Sequence, residues 1–518
     1  MKLVTVSEMK AVEKEADASG LTYAQMMENA GRGLAAIVGD IGEENGWNEV
    51  LGLVGSGNNG GDTLVALARL AREGWRARAY CVKRKVRNDP LARRLLDAGG
   101  EIILAGEDNA SDSLAAFIET ADVLLDGLLG TGIRLPLKPE MAGLLFTAQS
   151  ILAALDEPPF IVAVDCPSGV DCDTGAAADE TLPADLTVTM ACVKQGLLRL
   201  PAFDLAGELD VVDIGLPADL PALTSLRRFV PDFEWTADQL PPRPSDAHKG
   251  TFGTALIAAG SVAFTGAAYL AAKAAYRVGA GLVTLAVPAP LHAALAGQLP
   301  EVTWIPLPHE NGFAARAGAI SVAQNLNRAT SLLVGCGFGL EETTRDFLAK
   351  LLEAKLPPLV VDADGLKLLA QIPDWHRKLP ARTVLTPHPG EMSALTGLSK
   401  DEIQNNRESL AEKFAREWGQ VVVLKGAFTV IAEPDGRTAV LPFASAALAR
   451  AGTGDVLAGI IVGLRAQGVD AFEAAAAGAW IHARAGLTAL SEVGSAASVL
   501  AGDVLDCVND VMAELSEF

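Results

Sequence analysis

The chain has 518 residues, half of them hydrophobic and a fifth charged, which is typical of a globular protein with more than one domain. Lysine and arginine total 42 against 64 aspartates and glutamates, for a formal net charge of −22. So acidic a chain argues against binding to nucleic acid or to an anionic membrane surface. The 51 glycines and the low aromatic content of 5% favour α/β domains with many tight loops between strands and helices.

The cysteines and the N-terminus indicate a reducing compartment. The six cysteines show no CxxC pair and no zinc-ligand spacing, which is typical of buried free thiols. Residues Met1 to Glu8 contain no apolar signal segment, so we expect a cytoplasmic protein. The uncharged stretch from Thr251 to Ala272 is long enough to span a bilayer, but its glycines divide it into a strand, a loop and a helix start. We expect a homo-oligomer with no membrane and no nucleic-acid partner.

Residues 1–222 are predicted to form one α/β domain. The segment from Ser7 to Val38 is predicted to be helical because Met26, Ala30 and Leu34 recur on one face. Short apolar runs then alternate with helical patterns, which is typical of βαβ units and a mostly parallel sheet. The predicted strands are Val50–Val54, Ala77–Val82, Val123–Leu125, Phe160–Val164 and Leu186–Met190.

A proline-rich segment marks the boundary between two domains. Residues 217–244 contain six prolines, and they separate two stretches of sequence in which predicted strands and helices alternate. The second domain is predicted to span residues 226–518, where the alternation of strands and helices resumes. Its predicted strands are Ala255–Ala259, Leu282–Val287, Leu332–Gly335, Leu359–Val361, Val384–Thr386 and Val421–Leu424.

A glycine-rich loop follows the strand Val50–Val54 and precedes a predicted helix. It reads Gly-Ser-Gly-Asn-Asn-Gly-Gly-Asp at residues 55–62. A strand, a glycine-rich loop and a helix in this order suit a pyrophosphate at the helix N-terminus. Asn58 and Asn59 add side-chain donors and acceptors that a plain phosphate loop does not need. The alternative is an ordinary polar turn.

Two more loops of this domain begin with an aspartate at a strand end. Asp126 precedes Gly127–Gly132, and Asp165 precedes Cys166–Asp171. The carboxyl ends of parallel strands share one edge of a sheet, where ligands bind. Asn59, Asp126 and Ser168 are therefore expected to converge as hard oxygen ligands for an alkali cation, with Asp165 as an acid/base. Loop capping is the alternative for each carboxylate alone.

These motifs resemble a known family. The segments GSGNNGGD at 55–62, LLDGLLGTG at 124–132 and AVDCPSGVDCDTG at 163–175, with Met27–Gly31, resemble the N-terminal domain of bacterial NAD(P)H-hydrate repair proteins. The resemblance implies a Rossmann-like α/β/α sandwich with NAD(P)HX epimerase activity, and a K⁺ ion held by Asn59, Asp126 and Ser168. The substrate contacts that it implies are Asn58, Asn59, Gly60, Gly61, Asp62, Gly130, Thr131, Gly132, Ile133, Arg134, Leu135, Pro136 and Asp165.

This domain departs from the family at one position. Thr63 stands directly after the glycine-rich loop, where family members usually carry glycine. Because Thr63 follows the loop, we expect the extra side chain to cause only a small packing change.

In the second domain, Gly452-Thr453-Gly454-Asp455 precedes an apolar run predicted to be a helix. The glycines permit a tight backbone, and the free N–H groups of the first helical turn form an anion hole. Asp455 would repel a phosphate, so it is better placed to take a proton from a hydroxyl that attacks the phosphate. The alternative is a plain helix start in which Asp455 interacts favourably with the helix dipole.

A series of loops at predicted strand ends precedes this motif. They lie at residues 260–268, 335–339, 361–365, 386–391 and 425–429. Strand-end loops that finish in a GTGD-type helix start are the organisation of ribokinase-like kinases. Each of these residues has a plainer alternative when it is considered alone. His388 could be a rigid turn residue, Lys425 a solvated strand-end charge, and Asp362 and Asp364 loop caps. Their position on one shared edge of the sheet favours a functional role.

Five segments of this half resemble the C-terminal domain of the same repair proteins. They are GAAYLAAKAAYRVGAGLVT, VVDADGLKLLA, LTPHPGEMSAL, LKGAFTVI and AGTGDVLAGII. The resemblance implies a ribokinase-like α/β/α domain with ADP- or ATP-dependent NAD(P)HX dehydratase activity and Mg²⁺ in its site. The implied substrate contacts are Ala267, Gly337, His388 and Asp455. The implied nucleotide contacts are Lys425, Gly426, Ala427, Phe428, Thr429, Gly452, Thr453 and Gly454.

Two departures from the family lie near this site. A GNPG-like segment is common in the family just before the GTGD loop, and here residues 444–447 read Ala-Ser-Ala-Ala. The nucleotide contacts that the missing asparagine makes are therefore open. Lys367 stands where asparagine is frequent, and its effect is also open.

The sequence thus predicts repair of hydrated nicotinamide cofactors. One domain would interconvert (R)- and (S)-NAD(P)HX, and the other would dehydrate (S)-NAD(P)HX to NAD(P)H with ADP or ATP, releasing AMP or ADP and phosphate. Asp455 and Asp165 are the predicted catalytic residues. The alternatives are a small-alcohol kinase of the hydroxymethylpyrimidine or hydroxyethylthiazole type, which leaves the Asn58–Asp62 loop idle, and a non-catalytic dinucleotide sensor, which does not need Asp455.

Overall fold

The structure is a computed structural model that describes residues 1–106 and 110–517. The chain divides into two compact units, Met1–Phe229 and Val230–Phe518, of which Phe518 lies outside the described residues. Among the described residues, no helix combines the length and the apolar composition needed to cross a bilayer.

The first unit is built from a parallel sheet with helices between its strands. Its strands are β1 Leu3–Val4, β2 Glu49–Val54, β3 Arg76–Cys81, β4 Glu101–Leu104, β5 Val123–Gly127, β6 Phe160–Val164, β7 Leu186–Met190, β8 Val193–Lys194, β9 Glu208–Val212 and β10 Arg228–Phe229. Its helices are α1 Val6–Ser19, α2 Tyr23–Asn45, α3 Asn58–Arg72, α4 Pro90–Asp97, α5 Ala110–Thr120, α6 Pro139–Leu152, α7 Ala202–Ala206 and α8 Pro221–Thr224.

The strand order in this unit places the switch point of the sheet at β2 and β5. Seven parallel strands run in the order β4-β3-β2-β5-β6-β7-β9. The chain winds in one direction from β2 to β4 and in the other from β5 to β9. The crevice at the carboxyl ends of β2 and β5 is therefore the place where a sheet of this kind binds ligands.

The prediction of one helical segment from Ser7 to Val38 was wrong. The segment forms two helices, because Gly20 takes a left-handed conformation with φ of 111° and ends α1. Thr22 then caps α2, and its hydroxyl accepts the N–H of Gln25 at 3.3 Å. The break allows both helices to contribute residues to the cavity described below.

The second unit has a larger mixed sheet. Its strands are β11 Thr254–Ala258, β12 Leu282–Pro288, β13 Thr303–Leu307, β14 His309–Glu310, β15 Phe313–Ala314, β16 Ser331–Val334, β17 Leu359–Val361, β18 Val384–Leu385, β19 Val421–Leu424, β20 Val430–Ala432 and β21 Thr438–Val440. Its helices are α9 Phe233–Asp238, α10 Thr265–Arg277, α11 Ala289–Leu295, α12 Gly318–Ala323, α13 Glu342–Leu351, α14 Asp364–Leu369, α15 Pro389–Thr396, α16 Lys400–Asn405, α17 Arg407–Trp418, α18 Thr453–Ala466, α19 Ala471–Val493 and α20 Ala501–Glu517.

The second unit also has a switch point, at β11 and β16. Nine strands of this unit lie in one sheet in the order β21-β20-β19-β18-β17-β16-β11-β12-β13, and β14 and β15 pair separately. All neighbouring pairs from β19 to β13 are parallel, and β20 and β21 are antiparallel. The loops after β11, β16, β17, β18 and β19 therefore lie on one edge of the sheet, as the sequence predicted.

Candidate active sites

A cavity of about 1050 Å³ lies in the first unit. It is lined by the glycine-rich loop, by residues 128–134 after β5 and by side chains of α1 and α2, with Asp165 and Lys194 also in its wall. The residues predicted to touch substrate that line it are Asn58, Asn59, Asp62, Gly130, Thr131, Gly132, Ile133, Arg134 and Asp165. The predicted contacts that do not line it are Gly60, Gly61, Leu135 and Pro136.

Two glycines of the loop are needed for close packing. A Cβ atom on Gly60 would lie 2.1 Å from the carbonyl oxygen of Gly55, and one on Gly55 would lie 1.9 Å from the carbonyl oxygen of Leu128. The loop after β2 is therefore pressed against the loop after β5. This contact aims the N-terminus of α3, with its free N–H groups, at the cavity.

The three predicted cation ligands meet at the floor of this crevice. Asp126 is 1% exposed, and its Oδ2 accepts the Ser168 N–H at 2.7 Å while its Oδ1 accepts the Ser168 hydroxyl at 2.5 Å. Asn59 Nδ2 donates to the carbonyl oxygens of Leu129 and Val164, both at 2.7 Å. Burial raises the pKa of Asp126, and the two hydrogen bonds from Ser168 lower it in part. A buried carboxylate, a hydroxyl and two carbonyl oxygens form a donor set that suits a hard cation.

Asp165 forms a buried ion pair that the sequence analysis missed. The Asp165 backbone is left-handed, with φ of 65°. Asp165 Oδ1 accepts hydrogen bonds from Lys194 Nζ and from the Met190 N–H. The Lys194 side chain is 1% exposed. Burial lowers the pKa of Lys194, but the Asp165 carboxylate outweighs this and raises it. Lys194 therefore stays charged and fixes the orientation of Asp165.

Two further carboxylates face this pair across the cavity. Burial, and next the Asp165 carboxylate, raise the pKa of Glu13 on α1. The same two causes raise the pKa of Asp62 on α3 well above its ordinary range. The cavity wall thus carries the Lys194–Asp165 ion pair together with two carboxyl groups of raised pKa, an arrangement that suits proton transfer.

Thr63 fills space between two glycines of the sheet. Its hydroxyl donates to the carbonyl oxygen of Asn59 at 2.8 Å. If Gly52 carried a Cβ atom, that atom would lie 2.8 Å from the Thr63 methyl group. A Cβ atom on Gly127 would lie 1.8 Å from the Thr63 hydroxyl oxygen. Both strands β2 and β5 therefore carry glycine where this threonine packs.

In the second unit, the GTGD motif forms the start of α18. Gly452 is the N-cap with φ of 94°, and the first amide to bond back within the helix is that of Val456, which donates to the Gly452 carbonyl at 3.1 Å. The amides of Gly454 and Asp455 therefore lie in the free first turn. The Thr453 hydroxyl donates to the carbonyl oxygens of Leu448 and Arg450 at 2.9 Å, so this side chain anchors the loop.

Asp455 lies beside a second carboxylate at the end of β17. One oxygen of Asp455, one of Asp362 and the Cys336 sulfur all lie within 4.8 Å of one another. Burial and next the Asp362 carboxylate raise the pKa of Asp455 to about 7. A carboxylate with this pKa is an effective general base near neutral pH.

A chain of charged groups leads from Asp362 to the predicted substrate residue His388. Lys425 Nζ lies 2.6 Å from Asp362 Oδ1 and 3.8 Å from Glu391 Oε2. Burial lowers the pKa of Lys425, but Asp362 and Glu391 outweigh this and raise it. His388 caps α15, where its Nδ1 accepts the Gly390 N–H at 2.9 Å, and its Nε2 lies 3.1 Å from Glu391 Oε1. The Lys425 ammonium group is thus directed at the acidic cluster.

The remaining predicted substrate residues of this unit adjoin one another. A Cβ atom on Gly337 would lie 2.7 Å from the Cβ of Ala267 and 2.9 Å from that of Phe264. Gly337 directly follows Cys336, whose sulfur lies beside Asp455. Ala267 and Gly337 therefore pack together, and Gly337 directly follows a member of the cluster that contains Asp455.

The predicted nucleotide loop, Lys425–Thr429, carries a basic neighbour that sequence reasoning missed. A Cβ atom on Gly426 would lie 2.9 Å from Arg407 Nη1, and Arg407 Nη2 donates to the Leu424 carbonyl at 2.7 Å. Burial lowers the pKa of Arg407 to about 10, so its guanidinium remains charged. A fixed positive charge next to this loop favours an anionic ligand there.

Comparisons with known proteins were made for both units. Residues 23–196 match the family described as YjeF-related protein N-terminus, and residues 255–508 match the family described as NAD(P)H-hydrate dehydratase. The bifunctional NAD(P)H-hydrate repair enzyme Nnr of Moorella thermoacetica is 37% identical over 527 residues, which cover 100% of this chain and 98% of that protein. The chain belongs to the bifunctional NAD(P)H-hydrate repair enzymes. The family and the α/β fold class predicted from the sequence are confirmed.

Other members of this family are similar to a comparable degree. The repair enzyme Nnr of Escherichia coli is 34% identical over 481 residues, covering 91% of this chain and 87% of that protein. A crystal structure of the ADP/ATP-dependent NAD(P)H-hydrate dehydratase of Bacillus subtilis, co-crystallized with ATP and Mg²⁺, is 31% identical. The match covers 55% of this chain and 97% of the Bacillus subtilis chain, with a TM-score of 0.48.

The two places where the second unit departs from the family pattern, Lys367 and residues 444–447, make hydrogen bonds within the structure. Lys367 Nζ lies 3.1 Å from Asp364 Oδ1, and Asp364 Oδ2 accepts the Gly339 N–H at 3.0 Å, so Lys367 helps to hold the loop after β16. In the 444–447 segment the Ser445 hydroxyl accepts the Ala447 N–H at 3.3 Å. That segment continues to Leu448, whose carbonyl receives the Thr453 hydroxyl.

The site residues missed by sequence reasoning share one property. Lys194, Arg407 and Glu13 lie outside the strand-end loops and meet the sites through contacts that are distant in sequence. Glu391 lies within the loop of residues 386–391, but its approach to Lys425 is also distant in sequence. Lys194 had a detectable signal, because it is the one charged residue between Asp185 and Arg199. A lone charge in an apolar stretch is seldom buried without a partner.

Proposed function

We propose that each unit carries one step of cofactor repair. Residues 1–222 would interconvert (R)- and (S)-NAD(P)HX, and residues 226–518 would dehydrate (S)-NAD(P)HX with ADP or ATP. Membership of the bifunctional family and the two separate sites support this division. The observation that carries the dehydratase assignment is Asp455, a carboxylate with a pKa of about 7 at a helix N-terminus built like an anion hole.

The dehydratase reaction begins with proton transfer to Asp455. The ring hydroxyl of (S)-NAD(P)HX loses its proton to Asp455, and its oxygen attacks the terminal phosphorus of the nucleotide. The bond to the bridging oxygen breaks, and AMP or ADP leaves. The amides of Gly454 and Asp455 hold the charge that develops on the phosphoryl group. Phosphate then departs with the former hydroxyl oxygen, the neighbouring ring carbon loses a proton, and NAD(P)H is regenerated.

Adenine nucleotide is proposed to lie along residues 425–429 and 452–454. Arg407 beside Gly426 and the free amides of α18 support an anionic ligand there. We keep ADP as the first candidate and ATP as the second. Mg²⁺ is assigned to the nucleotide phosphates and water, because the cluster nearest the GTGD loop includes the Cys336 thiol, which is a poor ligand for this hard cation.

The dehydratase activity is expected to fall as the pH drops below about 7. Asp455 must be deprotonated to act as a base, and its pKa is raised to about 7 in the folded protein. The fraction of active carboxylate therefore decreases about tenfold for each pH unit below this value. The measurement is the pH dependence of kcat/KM with (S)-NADHX and saturating nucleotide. An activity that stays constant down to pH 5 contradicts the role of Asp455.

For the epimerase step we propose Asp165 as the acid/base. It lies in the cavity wall, Lys194 fixes its orientation, and its charge helps to raise the pKa of both Glu13 and Asp62. Lys194 Nζ donates to Asp165 Oδ1 and holds this side chain at the cavity wall, where it would exchange a proton with the substrate ring. The glycine-rich loop would hold the pyrophosphate of the dinucleotide at the N-terminus of α3.

A K⁺ ion is proposed to bind at Asn59, Asp126 and Ser168. The buried Asp126 carboxylate and the carbonyl oxygens of Leu129 and Val164 supply its oxygen ligands. Asn59 would contribute its oxygen after rotation of the amide, which now donates to both carbonyls. The ion would supply positive charge beneath the loops of residues 55–62 and 128–134 and so hold them together.

We expect K⁺ to stabilise the wild-type protein and the Asp126→Asn variant to lose that response. The neutral amide removes the one buried negative charge of this cluster, so affinity for the ion should fall at least tenfold. The measurement is the melting temperature of the first unit and the epimerase rate, each titrated with KCl against choline chloride. A variant that responds to K⁺ like the wild type contradicts the site.

One assay separates the proposed function from its two alternatives. The protein is incubated with NADHX and either ADP or ATP, and the absorbance band of NADH is followed. Recovery of NADH that requires the nucleotide supports repair. Nucleotide consumption only with another alcohol supports a small-alcohol kinase, and binding without turnover supports a dinucleotide sensor.

A further inference from the structure

The loop after β3 carries basic residues beside the cavity of the first unit. Residues 82–88 read Val-Lys-Arg-Lys-Val-Arg-Asn, with no carboxyl group among them. Lys83 lines the cavity, and its side chain is 48% exposed. Its backbone is left-handed, with φ of 56°, which is uncommon for a residue other than glycine. The loop therefore presents a cation, and no carboxylate, to the cavity.

The neighbouring Arg84 is already engaged in contacts within the protein. Its Nη1 donates to the carbonyl oxygens of Gly55 at 2.9 Å and of Gly57 at 3.2 Å, and its Nε donates to Asp89. These hydrogen bonds tie the loop after β3 to the glycine-rich loop. Lys83 is thereby held beside the proposed pyrophosphate site, and its ammonium group, unlike the Arg84 guanidinium, belongs to the cavity wall.

The partner of Lys83 in the structure is Glu140, in the first turn of α6. Lys83 Nζ lies 2.6 Å from Glu140 Oε2, and the Glu140 side chain is 59% exposed. Glu140 itself does not line the cavity. An ion pair this exposed contributes little to stability, because water and salt screen it. Lys83 can therefore exchange Glu140 for an anion in the cavity with little loss of stability.

The strand order sets the direction in which a dinucleotide crosses the cavity. The loops in the cavity wall follow β3, β2, β5 and β6, which are neighbours in this order. Neighbouring strands lie about 4.8 Å apart, so the ends of β3 and β6 are separated by roughly 14 Å. With the reacting ring at Asp165 after β6 and the pyrophosphate at the N-terminus of α3 after β2, the adenosine half extends towards β3. Its ribose then lies next to Lys83.

The position of Lys83 is the one that distinguishes two kinds of dinucleotide in sheets of this type. About 20 residues after the glycine-rich loop, a carboxylate binds the ribose hydroxyls of NAD, whereas a basic side chain accommodates the 2′-phosphate of NADP. Lys83 follows that loop at this distance, and the first carboxylate of the segment, Asp89, caps α4 and pairs with Arg84. The 2′-phosphate carries close to two negative charges at neutral pH, which suits a cation.

Local cations are needed for such a ligand because the chain as a whole repels it. The formal net charge of the chain is −22. The cations in the cavity wall are Lys10, Lys83, Arg134, Lys138 and Lys194. Lys194 is paired with Asp165, and Lys83 is the one of this set that lies at the end of β3. Lys83 is therefore the cation in position to meet a phosphate on the adenosine ribose.

We propose that the first unit is selective for NADPHX over NADHX, and that Lys83 binds the 2′-phosphate that distinguishes them. The proposal rests on the proposed epimerase function, which places the reacting ring at Asp165. Lys83 contacts the substrate far from that ring in this scheme, so it determines specificity and takes no part in proton transfer. Loss of such a contact raises KM more than it lowers kcat.

The ratio of kcat/KM for (R)-NADPHX to that for (R)-NADHX tests this role in the full-length protein. ADP and ATP are left out, so that the second unit does not turn over. We expect the wild type to prefer NADPHX about tenfold, and Lys83→Ala to bring the ratio to within about twofold of one. Lys83→Arg retains a cation and should keep the preference. A wild type without preference, or a ratio unmoved by Lys83→Ala, overturns the proposal.

Two exposed residues nearby provide matched controls. Lys85 belongs to the same loop but does not line the cavity, so Lys85→Ala removes the same charge and should leave the ratio at the wild-type value. A fall equal to that of Lys83→Ala overturns the specific contact. Glu140→Gln removes the competing partner of Lys83 and should raise the ratio about twofold. A lower ratio in Glu140→Gln contradicts the exchange of Glu140 for the phosphate.

A binding measurement separates this proposal from the proposed function. ADP-ribose and 2′-phospho-ADP-ribose are titrated into the wild type and into Lys83→Ala by calorimetry. We expect the phosphorylated probe to bind the wild type about tenfold more tightly, and Lys83→Ala to remove that difference. The second unit is identical in both proteins, so a change between them belongs to the first unit. This result without any epimerisation overturns only the proposed function, whereas epimerisation without any such difference in binding overturns only the role of Lys83.

Discussion

Asp455→Asn is expected to abolish nucleotide-dependent dehydration of (S)-NAD(P)HX while epimerisation continues. The amide cannot accept the proton of the ring hydroxyl, and loss of a positioned general base typically slows a reaction by about 10²- to 10⁴-fold. Since the epimerase cavity is formed by the first unit alone, its residues are unchanged. The measurement is the rate of NADH recovery beside the interconversion of the two epimers, followed by chromatography in the same sample.

The fold of this variant should be preserved. The substitution removes one of two neighbouring carboxylates, so repulsion from Asp362 decreases and the melting temperature should not fall. Asp364→Asn is the matched control, because Asp364 also faces Asp455 but bonds to Gly339 and Lys367. We expect that control to retain dehydration within a few fold. If the Asp455→Asn variant dehydrates (S)-NAD(P)HX at the normal rate, Asp455 is not the general base.

The buried strands of both units could be predicted from apolar runs. All eleven predicted strands are present to within two residues, because each is largely buried and most carry a short apolar run. The strands that were missed include β4, β9 and β13, each at the edge of its sheet. In β9, exposed and part-buried residues alternate from Glu208 to Asp210, which leaves no apolar run to detect.

The location of both sites could be predicted from the sequence, but the ion pairs between their side chains could not. Parallel strands place their carboxyl ends on one edge, so the clustering of Asp126 with Ser168 follows from topology. The ion pairs depend on side-chain geometry instead. Lys194 reaches Asp165 across 29 positions in the sequence and Lys425 reaches Asp362 across 63, and no local pattern encodes either contact. Hence the sequence placed Asp362 at the functional edge of the sheet, with loop capping as the alternative, but did not predict its pairing with Lys425.

The chemistry of the GTGD loop depends on residues that lie outside the motif. Taken alone, Gly452–Asp455 predicts either an anion hole beside a base or a plain helix start with an acidic residue in its first turn. Its ability to serve as a base near neutral pH comes from burial and from Asp362, at the end of another strand. The Thr453 hydroxyl, which the motif suggests as a ligand group, is used to hold the Leu448 and Arg450 carbonyls.

Asp165→Asn is expected to abolish epimerisation and also to destabilise the first unit. The variant removes the acid/base and leaves the Lys194 ammonium group buried without its counter-charge. Breaking one partner of a buried ion pair costs about 3–5 kcal/mol of unfolding free energy. Denaturant unfolding measures the stability change, and interconversion of (R)- and (S)-NADHX measures the activity. Dehydration of the (S) epimer by the second unit should continue at the wild-type rate.

The double variant Asp165→Asn/Lys194→Met separates the two effects. Methionine removes the unpaired charge and retains much of the volume of the lysine side chain, so most of the lost stability should return. Epimerisation should not return, because no group at position 165 accepts a proton. If the double variant regains both stability and epimerase activity, Asp165 serves only to neutralise Lys194, and the proton transfer must be assigned to Asp62 or Glu13, the other carboxyl groups in the cavity wall.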